Sequence, residues 1–288
     1  MQVFDKDQLH YIAKGQVHRA TLRSQINEAL NNNLFRENFI ISSLPGLGKS
    51  YEMTKALGSI SNPPLVFNGA ASMPAFIIDV ATAVYLAKGQ HLTVVLDDCD
   101  VIFADANINS VKKMFDDTRI LRYGKVAKGL YPFCTDLQIE AINSFAEPES
   151  AGFTVPLNNV TFITLTNRHL PTVNEVDVMD PATSQHNKAK DLYAIRRRTE
   201  YKEIAMESLE LWGYVTDVII NEQICEKFLP QIALNQKQQI ATWMYVNWKE
   251  VTERNLSLAE KMTKDMVRYP NDYLDIWATN YIQVKKVK

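Results

Sequence analysis

The 288-residue sequence predicts an α/β chain, a parallel sheet covered by helices and followed by an all-helical subdomain. Three observations predict it. Short apolar runs alternate with helical stretches from about residue 38 to 207. A glycine-rich turn ending in Gly48, Lys49 and Ser50 separates the first such run from a helix, and from about Ser208 the pattern is helical almost to the end. Strand and helix taking turns implies crossover connections, and crossovers make a sheet parallel. The length suits one large or two modest domains with a real core. A composition of 46% hydrophobic and 22% charged residues excludes a disordered chain.

Residues 1–37 read as a polar lead-in with one helix, RATLRSQINEALNN, in which Leu22, Ile26 and Leu30 recur every four residues. NFIISS (Asn38 to Ser43) is short, apolar and β-branched, as a strand should be, while SYEMTKAL after it has good helix formers with Met53 and Leu57 four apart. PLVFNG, LTVVLDDCD and NVTFITLTN read as further strands, PAFIIDVATAVYLAKG and NINSVKKMFDDTR as helices. The result is a lead-in (1–37), an α/β core (38–207) and a helical subdomain (208–288). In the last, SLAE fits a capping box with Ser257 as N-cap and Glu260 at the third helical position. The chain then breaks at Pro270 and restarts after Asn271 or Asp272. Trp212, Trp243, Trp248 and Trp277 are expected in the core of this part rather than on a base-stacking platform, because three of them lie in apolar helical surroundings.

Thirty-one basic against 33 acidic residues give a net charge of −2, which does not announce a nucleic-acid binder. It leaves open a ring whose basic residues line a channel. The best membrane candidate, AFIIDVATAVYLA, is too short to span and contains Asp79. MQVFDKDQLH lacks the basic start and apolar core of a secretion signal, so a cytoplasmic location without membrane partners is expected. Cys99, Cys134 and Cys225 are far apart and odd in number, so reduced thiols are expected rather than disulfides or zinc.

The chemistry concentrates in four places. In ISSLPGLGKSYEM, glycines let backbone N–H groups converge, the following helix offers its positive end and Lys49 adds a full charge; together they suit a phosphate chain. The P-loop pattern is Gly, four residues, then Gly-Lys-Ser/Thr, and here Ser43 replaces the leading glycine. A surface turn that happens to contain GKS is the plain alternative; a strand before and a helix after favour phosphate. Pro45, Gly46, Leu47, Gly48, Lys49, Ser50 and Tyr51 are the candidate nucleotide contacts, with Lys49 on the terminal phosphates and the Ser50 hydroxyl on Mg²⁺. LTVVLDDCD releases Asp97 and Asp98 at a strand end, where ligands of open α/β sheets bind. Asp97 suits Mg²⁺ through water, and Asp98 suits orienting or deprotonating an attacking water. VTFITLTN ends in Asn167, whose amide can donate to a phosphate oxygen and position water, although Asn is also a common turn residue. AIRRR supplies Arg196, Arg197 and Arg198, suited to charge building on a phosphoryl group or, equally, to a solvated basic turn or a nucleic-acid contact.

In that order, SSLPGLGKS, VVLDDCD, TFITLTN and AIRRR resemble the Walker A, Walker B, sensor 1 and arginine-finger elements of an AAA+ ATPase, over most of residues 37–288. DDCDVIFADANINSVKKMFDD further resembles a segment of small phage-encoded AAA ATPases. The resemblance implies a P-loop NTPase core with a helical lid, ATP and Mg²⁺ as cofactors, and a homo-oligomeric ring, often a hexamer, in a host cytoplasm if viral. It makes Asn167 the sensor 1 residue and Arg198, with Arg197 next, the finger supplied to a neighbouring subunit. Two departures stand out. Relatives usually carry Glu where Asp98 stands, and they place a sensor 2 arginine in an SLR triplet where Ser257, Leu258 and Ala259 occur, so that either Arg254 or Lys261 substitutes or lid motion is less tied to the γ-phosphate. A pore residue is sought in FNGAASMPAF, where Phe76 fits the core with Ile77 and Val80, and Met73 stays open. The implied function is an ATP-hydrolysing ring that remodels or translocates a macromolecular partner, protein or DNA. The alternative is a nucleotide-gated, DNA-associated assembly switch with slow hydrolysis.

Overall fold

The computed structural model describes residues 4–31, 37–60, 64–69, 72–147 and 151–283. The terminal KKVK, and Ala70 and Ala71 of the candidate pore stretch, lie outside the described residues. The first elements are α1 (Lys6–Asn31), β1 (Phe39–Ser43), α2 (Lys49–Leu57), β2 (Leu65–Asn68), α3 (Met73–Ala87) and β3 (Leu92–Asp97). Then come α4 (Ile108–Phe115), β4 (Ile120–Tyr123), α5 (Asp136–Ser144), β5 (Phe153–Pro156) and β6 (Val160–Thr166), with 3₁₀ turns at Asp100–Phe103 and Ala127–Phe133. The remainder is α6 (Val173–Asp177), α7 (Ser184–Arg196), β7 (Glu200–Ile204), α8 (Ser208–Asn221), α9 (Leu234–Val246), α10 (Leu256–Arg268) and α11 (Tyr273–Tyr281). Among the described residues, no helix is long and apolar enough to cross a membrane. Two compact units emerge: an α/β unit of Gln25–Ser43 and Met53–Glu203, and a helical unit of Met1–Ser24, Leu44–Glu52 and Ile204–Lys288.

The α/β unit is built on a five-stranded sheet of order β2-β3-β6-β1-β7, in which β2–β3, β3–β6 and β1–β6 all pair parallel. Central β6 is buried at every residue, as expected of a parallel strand covered on both faces. Phe76 of α3 is buried and sets its ring edge-on to Phe67 at 5.1 Å, which answers the question of its role in favour of the core; Met73 packs partly buried against the same cluster. Because β1, β3 and β6 run parallel, their carboxyl ends share one edge. From β1 the chain travels to β2 past β6 and β3, and from β6 it travels to β7 past β1. Neighbouring strands that send the chain in opposite directions open a crevice at that edge.

Three strands escape the sequence pattern. β4 and β5 form a separate antiparallel pair of four residues each, interrupted in pattern by Arg122 and Pro156. β7 is the charged edge strand EYKEI, and charge on an edge strand is a common guard against pairing with other chains.

The helical unit packs Trp212, Trp248 and Trp277 into its core, and each indole N–H finds a carbonyl: Ala241 at 2.9 Å, Ser208 at 2.7 Å and Met262 at 3.3 Å. Trp243 lies edge-on to Trp277 at 5.7 Å. The break at Pro270 falls between α10 and α11, and Asp272 precedes the restart. The capping reading requires correction: α10 begins at Leu256, its N-cap is Asn255, and the Asn255 side chain accepts the Leu258 N–H at 3.2 Å. Asparagine caps a helix as well as serine does, so Ser257 belongs to the first turn.

Two helical glycines allow α1 and α8 to cross with backbones in contact. A Cβ on Gly15 would lie 2.1 Å from the Tyr214 nitrogen, and one on Gly213 would lie 1.9 Å from the Tyr11 carbonyl oxygen.

Candidate functional site

The glycine-rich loop is held by the helical unit. Gly46 and Gly48 adopt φ of +76° and +72°, a left-handed backbone that glycine reaches without a steric penalty. A Cβ at Gly46 would also lie 2.4 Å from the Asn255 Cβ. Between the glycines, Leu47 inserts into the core of this unit, its carbonyl accepting the Tyr214 hydroxyl at 2.5 Å, while the Gly46 carbonyl accepts the Leu256 N–H at 3.3 Å. Burial pushes the Tyr214 phenol above its usual range, which keeps it a donor. Pro45 and Ser50 are exposed. Lys49, the first residue of α2, is buried and turns its ammonium toward the Leu44 carbonyl, 3.4 Å away. Tyr51 donates its hydroxyl to Glu222 at 2.8 Å.

In the α/β unit, the sheet's carboxyl edge collects the candidate acids. Asp97 closes β3 in register with Leu165 of β6, and Ser42 of β1 pairs with Thr166 on the other side of that strand. Asp98 follows at φ +52°, exposed, with its N–H bonded to the Leu165 carbonyl at 3.1 Å. Asn167 donates its amide to Asp98 Oδ1 at 3.1 Å. The structure therefore joins the two residues assigned to water. Next to them, Cys99 is buried and donates to the Phe67 and Gly69 carbonyls, a structural role; all three cysteines are free thiols.

The three arginines part company. Arg196 ends α7, bonds the Leu170 carbonyl and stacks 4.3 Å over the Tyr201 ring, so its fork is committed to the fold. Arg197 and Arg198 are exposed and line a polar cavity of about 800 Å³ with Glu37, Asn38, Arg119 and Glu200. Asn38 leads into β1 and Glu200 opens β7, so this cavity lies at the end of β1 opposite Ser43. The arginines and the Asp97–Asp98–Asn167 edge thus occupy opposite ends of one sheet.

Of the two sensor 2 substitutes, Arg254 bonds the Lys249 carbonyl at 2.9 Å and Lys261 pairs with Glu253. The α10 residues beside the loop are Asn255 and Leu256, which the sequence reading passed over for Ser257. Their signal was present, since Asn255 precedes an amphipathic run and is itself a capping residue.

Two residues beyond Asn167, His169 bridges Glu203 on β7 and Glu175 on α6, with ring nitrogen to carboxylate distances of 2.9 and 3.0 Å. Both ring nitrogens facing carboxylates calls for the protonated form. Bonding to Glu203 raises the His169 pKa above its ordinary value, burial opposes this and Glu175 adds to it. The bond from the Thr172 backbone N–H, then the Thr172 hydroxyl and His169, hold Glu175 down at about 2. A raised histidine pKa gives stability that is present in full below the unfolded value of about 6.5 and fades as pH rises through the folded one. Thermal melts across that interval should show stability falling with pH, and His169→Gln should flatten this slope.

Neither the protein-family models nor the curated proteins compared with this chain match it. The functional reading therefore stands on the residues and their geometry.

Proposed function

We propose that this chain is a Mg²⁺-dependent ATPase of AAA+ type that works as a homo-oligomeric ring, with its helical part as lid, on a macromolecular partner. One observation carries the reading: a buried parallel strand runs into a loop whose two glycines are left-handed, and the loop runs into a helix that begins at Lys49. Such a backbone allows N–H groups to converge, and the helix's positive end adds to them, which is the chemistry a polyphosphate requires. The carboxyl edge of the same strand's sheet supplies Asp97, Asp98 and Asn167, supporting the second half of the reading.

In this scheme Lys49 would bind the terminal phosphates, and the Ser50 hydroxyl and the Asp97 carboxylate would be the groups that hold the metal ion. Bound magnesium would supply charge neutralisation at the phosphates. Asp98 orients and deprotonates the attacking water, and Asn167 fixes the Asp98 carboxylate while offering its amide to the same region. Arg198, with Arg197 beside it, sits at the far end of the sheet and so favours service to a neighbouring subunit.

Lys49→Ala tests the core of the proposal. Loss of a charge-assisted contact should weaken Mg–ATP binding by about ten- to a hundredfold, read by titration calorimetry. Unchanged ATP affinity in a folded Lys49→Ala protein would remove the nucleotide assignment.

A further inference from the structure

The loop is gripped by the segment that the sequence presented as a lead-in. Arg19 of α1 is 3% exposed, donating from Nε to Glu52 at 2.9 Å and from Nη1 to Asp217 of α8 at 2.9 Å, and from Nη2 to Glu222. Arg23, one turn further along α1, donates to the other Glu52 oxygen at 2.7 Å and to Glu222 at 2.8 Å. Both oxygens of Glu52, three residues after Lys49, are thereby taken by arginines of α1. Glu222 also accepts the neighbouring Tyr51 hydroxyl, and Gln16 steadies Asp217 at 2.9 Å. Counting Leu47 on Tyr214, the loop and first turn of α2 are tied down on both sides of Lys49.

A buried ionic cluster is a poor way to gain stability, because the charges must leave water and apolar side chains of similar volume often do better. What it supplies is fixed geometry. Arginine's planar fork satisfies three carboxylates in set directions, whereas lysine presents a point charge on a flexible stem. Burial disfavours the charged guanidinium, yet the bonds to Asp217, Glu52 and Glu222 outweigh it and hold the Arg19 pKa above the ordinary arginine value.

We infer that Arg19 is a positioning residue for the phosphate loop, acting through Glu52, which makes α1 a working part of the nucleotide site. The inference rests on the nucleotide reading proposed above. Truncating Arg19 leaves Glu52 and Asp217 buried without their main partner and risks unfolding, so the informative variants are Arg19→Lys, which keeps the charge, and Glu52→Gln. Mg–ATP affinity is measured by calorimetry well below the melting temperature for wild type, Lys49→Ala, both variants and their double. Expected is a loss of about tenfold or more for Arg19→Lys, since small misplacements of binding groups are costly. Glu52→Gln should lose a similar factor, and the double should lose no more than either single, because both break one contact. A lowered melting temperature with wild-type affinity, or losses that multiply in the double, would overturn the positioning role while Lys49→Ala still weakened binding by the factor expected above. Wild-type protein without Lys49-dependent ATP binding would overturn the nucleotide reading and this inference together.

Discussion

Gly213→Ala is expected to destabilise the helical unit by about 2 kcal/mol or more, against the direction that helix propensity predicts. In a helix interior, alanine is favoured over glycine by about 0.5–1 kcal/mol. Here the new methyl carbon would sit 1.9 Å from the Tyr11 carbonyl oxygen and 2.9 Å from the Ile12 nitrogen, both backbone atoms of α1. Backbone cannot rotate away as a side chain can, so α1 and α8 must separate, and overpacking of this kind costs roughly 1–3 kcal/mol and at times more. The packing loss exceeds the propensity gain. A fall in melting temperature of roughly 4–8 °C follows. Gly15→Ala should behave alike, since its Cβ meets the Tyr214 nitrogen at 2.1 Å, and the double variant should lose less than the sum because one separation relieves both contacts. Gly58→Ala is the control: its nearest neighbour would be the Lys55 carbonyl oxygen at 3.5 Å, so no loss is expected there.

The helix crossing also shows what a linear reading reaches. The alternation of strand and helix was legible because β1 and β6 are buried throughout and β3 through its centre, and buried parallel strands read as apolar runs. β7 was not, because an edge strand owes its place to one neighbour and carries the charges of a loop. α1 was seen only from its second half, where Leu22, Ile26 and Leu30 mark a stripe; the first half contains Gly15, which reads as a helix weakness until α8 is brought against it. The candidate site divides in the same way. Gly46 to Ser50, Asp97–Asp98 and Asn167 could be noticed because each group is contiguous and lies at or just after the end of an apolar strand. Arg19 could not, since Glu52 and Asp217 lie 33 and 198 residues away and nothing local says that these charges will be buried together.

Asp98→Asn should leave Mg–ATP binding within a few-fold of wild type while slowing phosphate release by about 10²–10⁴-fold, the usual span for losing a general base. The substitution isolates the proposed proton-accepting role for a structural reason. Residue 98 sits at φ +52°, and asparagine and aspartate are the non-glycine residues that best tolerate a left-handed backbone. The strand end should therefore keep its path, with the residue 98 N–H still on the Leu165 carbonyl. The side-chain oxygen that accepts the Asn167 amide at 3.1 Å also has a counterpart in the new amide. What disappears is the carboxylate's ability to take a proton. The same backbone argues that the short acid is required here: glutamate would reach further but suits a left-handed position less well, so Asp98→Glu should strain the turn rather than improve it. Single-turnover assays separate the outcomes. Slow chemistry with intact binding supports Asp98 as the base. Unchanged turnover in Asp98→Asn would assign the water to another group and reduce Asp98 and Asn167 to a turn held by one hydrogen bond.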